Sequence, residues 1–358
     1  MQAALQSVLA LATLAAALLY YAPAHPSSVQ EELRNDAASP YRWCDLGESL
    51  LKSGDAAQAG YCLRRAVELG PNLPPIWLRA MHFYMATDRI PEALAASVHV
   101  LHLVSDYDPF VFSYYDRIVP DVLTLVPLLA KDRRPLEAYQ RHLIGAGESA
   151  KARTLWPSLT KAADDQLASD YVNFLLRTGA YAAAAEAWAA HVGGRRGNYL
   201  RPNLLYNGSF GSEPSPCNLD WQLAPAPDVQ IDLAHGLRIT FLGKENLEFH
   251  HVTQFAAVRP GHYVFEASIR TQDLTTEEGV RFRLFDAVSR ARFETETNQF
   301  NGTSNWTHIR RPVQIPVGTN LLAVQVARDS SQKFDNKIAG TAWIDAVSLV
   351  PASAGIPR

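Results

Sequence analysis

The sequence predicts a multidomain α + β chain: an N-terminal all-α helical repeat followed by an antiparallel β-sandwich. Three observations carry that prediction. A pattern repeats at an interval of 34 residues, with Trp43 and Trp77 in one register and Ala59 and Ala93 in another. The alanine-rich, helix-period texture stops at the glycine-rich basic stretch Gly193 to Gly197. Beyond it, short runs of period two alternate with turn residues and no helical stretch returns.

Composition narrows the function classes. The 358 residues are 47% hydrophobic and 19% charged, as expected of folded domains, with 33 Lys+Arg against 36 Asp+Glu. A net charge of -3 argues against a dedicated nucleic-acid binder, which would show a basic face. Three cysteines are too few for a disulfide scaffold.

The first 26 residues read as a signal peptide or N-terminal membrane anchor. Val8 to Tyr21 is apolar except for Thr13, and Ala22, Pro23 and Ala24 fit a small-residue cleavage signal. No Lys or Arg precedes the run. This segment implies the cell envelope of a bacterium, periplasmic or secreted, with inner-membrane anchoring if it is retained, and membrane contact only through it.

Residues 27–192 are the helical repeat. In the first copy Trp43, Leu46, Gly47 and Leu50 share one helical face, Ser53 and Gly54 make a turn, and Ala59, Leu63 and Ala66 form the facing stripe. The second copy replaces Leu and Gly by Ala80 and Met81 and keeps Tyr84. Helices are predicted over Pro135–Ala146, Ser149–Leu159, Leu167–Thr178 and Tyr181–Val192. Pro109, Pro120 and Pro127 obscure the register between Asp108 and Lys131. Four or five hairpins result. Small residues at Gly47 and Ala59 let helices approach, and neither helix buries its stripe without stacked neighbours.

This pattern resembles the tetratricopeptide repeat. The resemblance implies a groove lined by the first helix of each unit, for a protein or peptide partner. Mapped here, Tyr41, Cys44, Glu48, Leu51 and Lys52 would line it in the first copy, and Leu78, His82 and Met85 in the second. The residues form no basic clamp for acidic C-termini, and any single one of them reads more simply as a solvent-facing or inter-repeat contact.

Residues 193–202 read as a linker, 203–351 as the sheet domain and 352–358 as a tail. Gly236–Gly243, His262–Thr271, Gly279–Ala287, Asn320–Asp329 and Thr341–Val350 each alternate. In the second run Tyr263, Phe265, Ala267 and Ile269 face the core. The segments NLLYNGSF, VRPGHYVFEASIRT, NWTHIRRPVQIPV and GTAWIDAVSLV resemble the galactose-binding-like jelly roll, a superfamily that includes many carbohydrate-binding modules. Trp306 and Trp343 are expected as core anchors.

The resemblance implies two things about ligands. Asp345 is placed for a structural calcium, yet Asn207 to Gly211 lacks the accompanying carboxylates, and calcium wants six to eight oxygens; no other cofactor is implied. A glycan face would use Glu266, Arg281, Arg283 and Gln325, alternating outward, because arginine forks suit the hydroxyls and carboxylates of acidic polysaccharides. Phe285 is a candidate aromatic platform, with Phe249, Phe293 and Phe300 as others. His250 and His251 would point to opposite faces of a strand and make no metal pair.

No P-loop, dinucleotide fingerprint, nucleophile elbow or HExxH is present, and Glu294 and Glu296 are too local for glycoside hydrolysis. The sequence therefore reads as a non-enzymatic envelope protein, a scaffold for protein partners with a glycan-binding module, accessory to exopolysaccharide or O-antigen assembly. The alternatives are a purely structural adaptor that binds no sugar and, further off, a polysaccharide lyase or hydrolase.

Overall fold

The structure, a computed structural model, describes residues 26–129, 131–233 and 236–352. The apolar N-terminal segment and most of the tail lie outside them. Among the described residues no helix is long and apolar enough to cross a membrane. The protein is a multidomain α + β chain, an N-terminal region of paired helices followed by two antiparallel sheets packed as a sandwich. Its contacts divide it into two compact units, residues 1–139 and 140–358.

The first unit contains α1 (Pro26–Asn35), α2 (Pro40–Lys52), α3 (Ala56–Leu69), α4 (Pro74–Ala86), α5 (Ile90–Leu103), α6 (Asp108–Ile118) and the single turn α7 (Val126–Leu129). Prolines occupy the first turns of α2, α4, α5 and α6, where the missing N–H has no intrahelical role. Pro109 therefore starts a helix; it does not break one. Asp55 caps α3 by accepting from the Gln58 N–H.

Cys44, Ala59, Leu63, Ala66, Ile76 and Phe83 form the core where the first two hairpins meet. A Cβ added to Gly47 would lie 3.2–3.3 Å from Ala59, Cys62 and Leu63, so the predicted close approach is real. Trp43 and Trp77 are half-buried and make the same bond one repeat apart. Trp43 Nε1 donates to the Ala37 carbonyl at 2.8 Å and Trp77 Nε1 to that of Pro71 at 2.7 Å. Cys44 and Cys62 are both buried as free thiols.

The helix α8 (Arg133–Gly145) runs across the division. The second unit then holds α9 (Ser149–Leu155), α10 (Asp165–Arg177), α11 (Tyr181–Val192) and the sandwich. Residues 193–202, expected as a linker, are mostly exposed and are anchored at Arg195 and Tyr199. Arg195 pairs with Asp165 at 2.8 Å, Tyr199 is 2% exposed, and its ring meets Tyr206 edge-on. Asn173 on α10 donates to the Pro216 carbonyl and accepts from the Asn218 N–H. The last hairpin is thereby tied to the sheet domain, and Tyr171 on its first helix also stacks on Trp156 at 4.3 Å.

The strands are β1 (Gln222–Leu223), β2 (Val229–Asp232), β3 (Leu237–Leu242), β4 (Phe249–Ala257), β5 (Gly261–Leu274), β6 (Arg281–Asp286), β7 (Glu294–Glu296), β8 (Gly302–Ile315), β9 (Leu321–Arg328) and β10 (Ala339–Pro351). They make two five-stranded antiparallel sheets, ordered β1-β4-β9-β6-β7 and β2-β3-β10-β5-β8. Phe249, Phe265, Phe282, Leu284, Val324 and Ile344 are fully buried between the sheets. Trp221 is the large core anchor, buried against Phe210 with ring centroids 4.9 Å apart. Trp306, expected in that role, is 49% exposed, and Trp343 lies half-buried on an outward face. An aromatic residue in an alternating run can serve either face, and only the register decides which.

The NLLYNGSF segment ties the start of the module to its closing strand. Asn203 Oδ1 accepts from the N–H groups of Leu205 and Leu349, and Leu204 N–H donates to the Leu349 carbonyl. Gly208 lies so close to Val347 that an added Cβ would stand 2.0 Å from its carbonyl oxygen.

Candidate binding sites

The first-helix stripes of the first two hairpins meet at one pocket of about 480 Å³. Glu48, Leu51 and Lys52 come from α2, spaced i, i+3, i+4. Pro75, Leu78, Arg79, His82 and Ala86 extend the stripe on α4, and Phe110 enters from α6. Leu63 and Phe83 supply the apolar floor. The rim is polar and internally matched. Arg79 Nε donates to Glu48 at 2.5 Å and its Nη2 to Asp45 at 2.6 Å, locking α4 to α2. His82 Nε2 lies 3.1 Å from the Tyr114 hydroxyl, and its ring meets Phe110 edge-on at 5.6 Å. Desolvation pushes the His82 pKa down, with Glu48 opposing it.

Of the groove residues expected from sequence, Glu48, Lys52, Leu78, His82 and Leu51 line this pocket. Tyr41 is 44% exposed and is not among the lining residues. Cys44 is fully buried and its thiol is pushed up to about 12 by burial, so it is neither groove wall nor nucleophile. Met85 packs with the Met81, Ala93 and Ala96 cluster. Arg79 and Phe110 were missed. Arg79 stands 34 residues after Asp45, and Tyr115 34 after Met81, so the period continues into α6 behind its prolines.

On the sandwich, four of the five glycan-face residues share the outward face of one sheet and the fifth lies on the other. Arg283 on β6 is in register with Gln325 on β9 and Glu296 on β7, with Arg281 and Phe285 to either side. Glu266 belongs to β5, where it accepts from Arg310 at 2.7 Å.

The arginines are not presented to solvent as expected. Arg283 is 8% exposed, its Nε pairs with Glu296, and Arg281 pairs with Glu278 and, at 3.2 Å, with both Glu296 and Asp329. Burial works against the Arg283 charge, but Asp329 and Glu296 outweigh it and raise its pKa. Each fork is paired with neighbouring carboxylates, because β7 and the residues after β9 bring acids into the same register, although the buried Arg281 Nε has no hydrogen-bond partner. Gln325 donates to the His250 carbonyl and Thr253, and Arg290 covers Phe285 with its Cζ 4.9 Å from the ring centroid. Phe249 is fully buried, and Phe293 and Phe300 pack on the core. His250 and His251 do not diverge. A bulge between Phe249 and Val252 stacks their rings at 4.7 Å.

The residues near Asp345 do not fit a calcium site as they stand. Its carboxylate accepts from the Ala346 N–H at 2.6 Å beside a bulge. Asp220, the buried acid after NGSF, is filled by the Ser215 and Trp221 N–H groups. Among the described residues no three His, Cys, Asp or Glu side chains converge on one point.

No protein-family model matches the sequence, and no curated protein matches it. Solved structures similar to it include a family 4 carbohydrate-binding module, 14% identical, covering 41% of this chain and 99% of that one with a TM-score of 0.32. Another is YrrB, a TPR protein with an unusual peptide-binding site, 12% identical, covering 46% and 90% with a TM-score of 0.26. A third is the enzymatically active domain of tailspike protein 4 of bacteriophage CBA120, 13% identical, covering 42% and 21% with a TM-score of 0.29.

Proposed function

We propose that this is a non-enzymatic binding protein whose helical repeat holds a peptide or protein partner and whose β-sandwich binds glycan. One observation carries the first half: the pocket between α2, α4 and α6 combines an apolar floor with a rim whose charges are already matched. Leu51, Leu78 and Phe110 offer a seat for one large apolar side chain, while the Glu48–Arg79 pair presents hydrogen-bonding edges to a peptide backbone. The acid and the histidine at the rim are engaged with Arg79 and Tyr114, an arrangement suited to holding a ligand in place.

A displayed random-peptide library selected on the full chain tests this. Enriched peptides should carry an aromatic or long aliphatic anchor and lose at least tenfold in affinity, about 1.4 kcal/mol, on Leu78→Glu or Phe110→Ala. No enrichment, or affinity unchanged by both substitutions, overturns it.

The protein is read as acting in a bacterial cell envelope, addressed by its apolar N-terminal segment, as an accessory to exopolysaccharide or O-antigen assembly. Fractionation of cells expressing the full chain checks the address; recovery in the cytosol would contradict it. The purely structural adaptor is favoured by one observation, the pairing of Arg281 and Arg283 with Glu278, Glu296 and Asp329, which leaves both guanidinium charges on that sheet face already matched.

A further inference from the structure

We infer that the glycan site of the sandwich lies on the outward face of the sheet β2-β3-β10-β5-β8, at Trp306 and Arg270, and that it takes a carboxylated polysaccharide. This rests on the reading of the sandwich as a glycan-binding module and moves the site to the sheet opposite Arg281 and Arg283.

The register places the parts. Trp343 on β10 pairs with Arg238 on β3 and with Arg270 on β5. Arg270 in turn faces a bulge of the edge strand β8, where Thr307 opposes Ile269 and Ser304 opposes Thr271. Asn305 and Trp306 fill that bulge. Strand alternation puts Trp306 on the same face as His308 and Arg310, which oppose Ser268 and Glu266. One row across the face thus reads Arg238, Trp343, Arg270, Trp306.

The chemistry of the row is specific. Trp306 is 49% exposed, an indole left in water on a flat sheet face, where the apolar C–H face of a pyranose ring can stack. Arg270 is exposed and its guanidinium lies over the Trp343 ring, 4.8 Å from the centroid. That contact keeps the fork over the indole, and Trp343 is a positioning residue in this sense. Among the described residues Arg270 has no carboxylate partner, whereas its neighbours do: Arg238 pairs with Asp232 and Arg310 with Glu266. A uronate carboxylate beside a stacked ring would complete the pairing, bidentate in the manner arginine favours. The surrounding Thr240, Thr341, Ser268, Gln272 and His308 are hydrogen-bonding side chains. They suit hydroxyl-rich sugar better than the aliphatic core of a protein interface.

Affinity electrophoresis and tryptophan-fluorescence titration of the full chain test this, with polymannuronate as the probe and mannan as its neutral counterpart. Polymannuronate should retard the chain and quench its fluorescence, mannan less so, and added salt should narrow the difference. Trp306→Ala and Arg270→Gln should each weaken polymannuronate binding at least tenfold, and Arg270→Gln should also remove the preference over mannan. Both positions are exposed, so thermal melting should be unchanged. Gln325→Ala, on the opposite sheet, should bind as the parent does. If binding survives Trp306→Ala and Arg270→Gln but falls with Gln325→Ala, the site assigned here is wrong while the glycan reading stands. If neither polymer binds the parent chain, both fall. Should Trp306→Ala instead convert a self-associating chain to monomer in sedimentation, the face is an interface between copies and the proposal is overturned.

Discussion

Arg283 and Asp329 are joined by one nitrogen that reaches both carboxylate oxygens, Nη2 lying 2.9 Å and 3.0 Å from them. The pair turns a residue that alternation assigns to an open face into one with 10% of its side chain exposed. Arg283→Ala should therefore destabilise the sandwich by about 1–3 kcal/mol, because Glu296 and Asp329 lose one of the two arginines they share in a partly dry setting. The double substitution of Arg281 and Arg283 to Ala should cost more than either alone. Urea unfolding followed by tryptophan fluorescence measures both. A loss below about 0.5 kcal/mol for Arg283→Ala would mean the network adds nothing net.

Trp43→Ala should cost about 2–4 kcal/mol, at or below the usual range for a fully buried tryptophan, since the ring is half-buried against the first core and its Nε1 bond to Ala37 is lost too. Trp43→Phe should recover most of the packing and none of the bond. Melting temperatures of the two variants separate these contributions.

Gly208→Ala should cost about 3 kcal/mol, because its Cβ would overlap the Val347 carbonyl and part the NGSF segment from the closing strand. Gly54→Ala, at a turn with φ of +91° and nothing within 4 Å, should cost only about 1 kcal/mol, from backbone strain. Comparable losses at the two sites would argue against the close approach.

Asp165 is held at about 2, below its ordinary 3.8, chiefly by the Arg195 fork, against an opposing effect of burial, and further by His191. Its folded-state pKa is depressed, so the stability it contributes is present above the ordinary carboxylate value and lost as pH falls toward about 2. The side chain is 46% exposed, and solvent screening limits the effect to about 1 kcal/mol. Asp165→Asn should flatten the acid limb of a stability–pH curve between pH 4 and 2, roughly the interval between the two values. An unchanged slope would show that Arg195 and His191 do not act on it.

The sequence by itself determined the two architectures and their order. A 34-residue period with Gly47 and Ala59 at the crossing admits stacked hairpins, and the alternation of Tyr263, Phe265, Ala267 and Ile269 admits a half-buried strand. Both are local patterns, set by how side chains repeat along one element. The resemblance to the tetratricopeptide pattern also implied Glu48, Leu51, Lys52, Leu78 and His82 as groove residues, and these line the pocket. Tertiary structure decided what each outward residue meets. Arg283 and Arg270 have the same signature, an arginine at an outward position of an alternating strand with a buried residue on either side. One lies in register with Glu296 and is quenched; the other lies in register with Trp343 and keeps its charge available. Strand pairing joins residues far apart in the chain, and that pairing, which no local period encodes, separates a closed ion network from an open site.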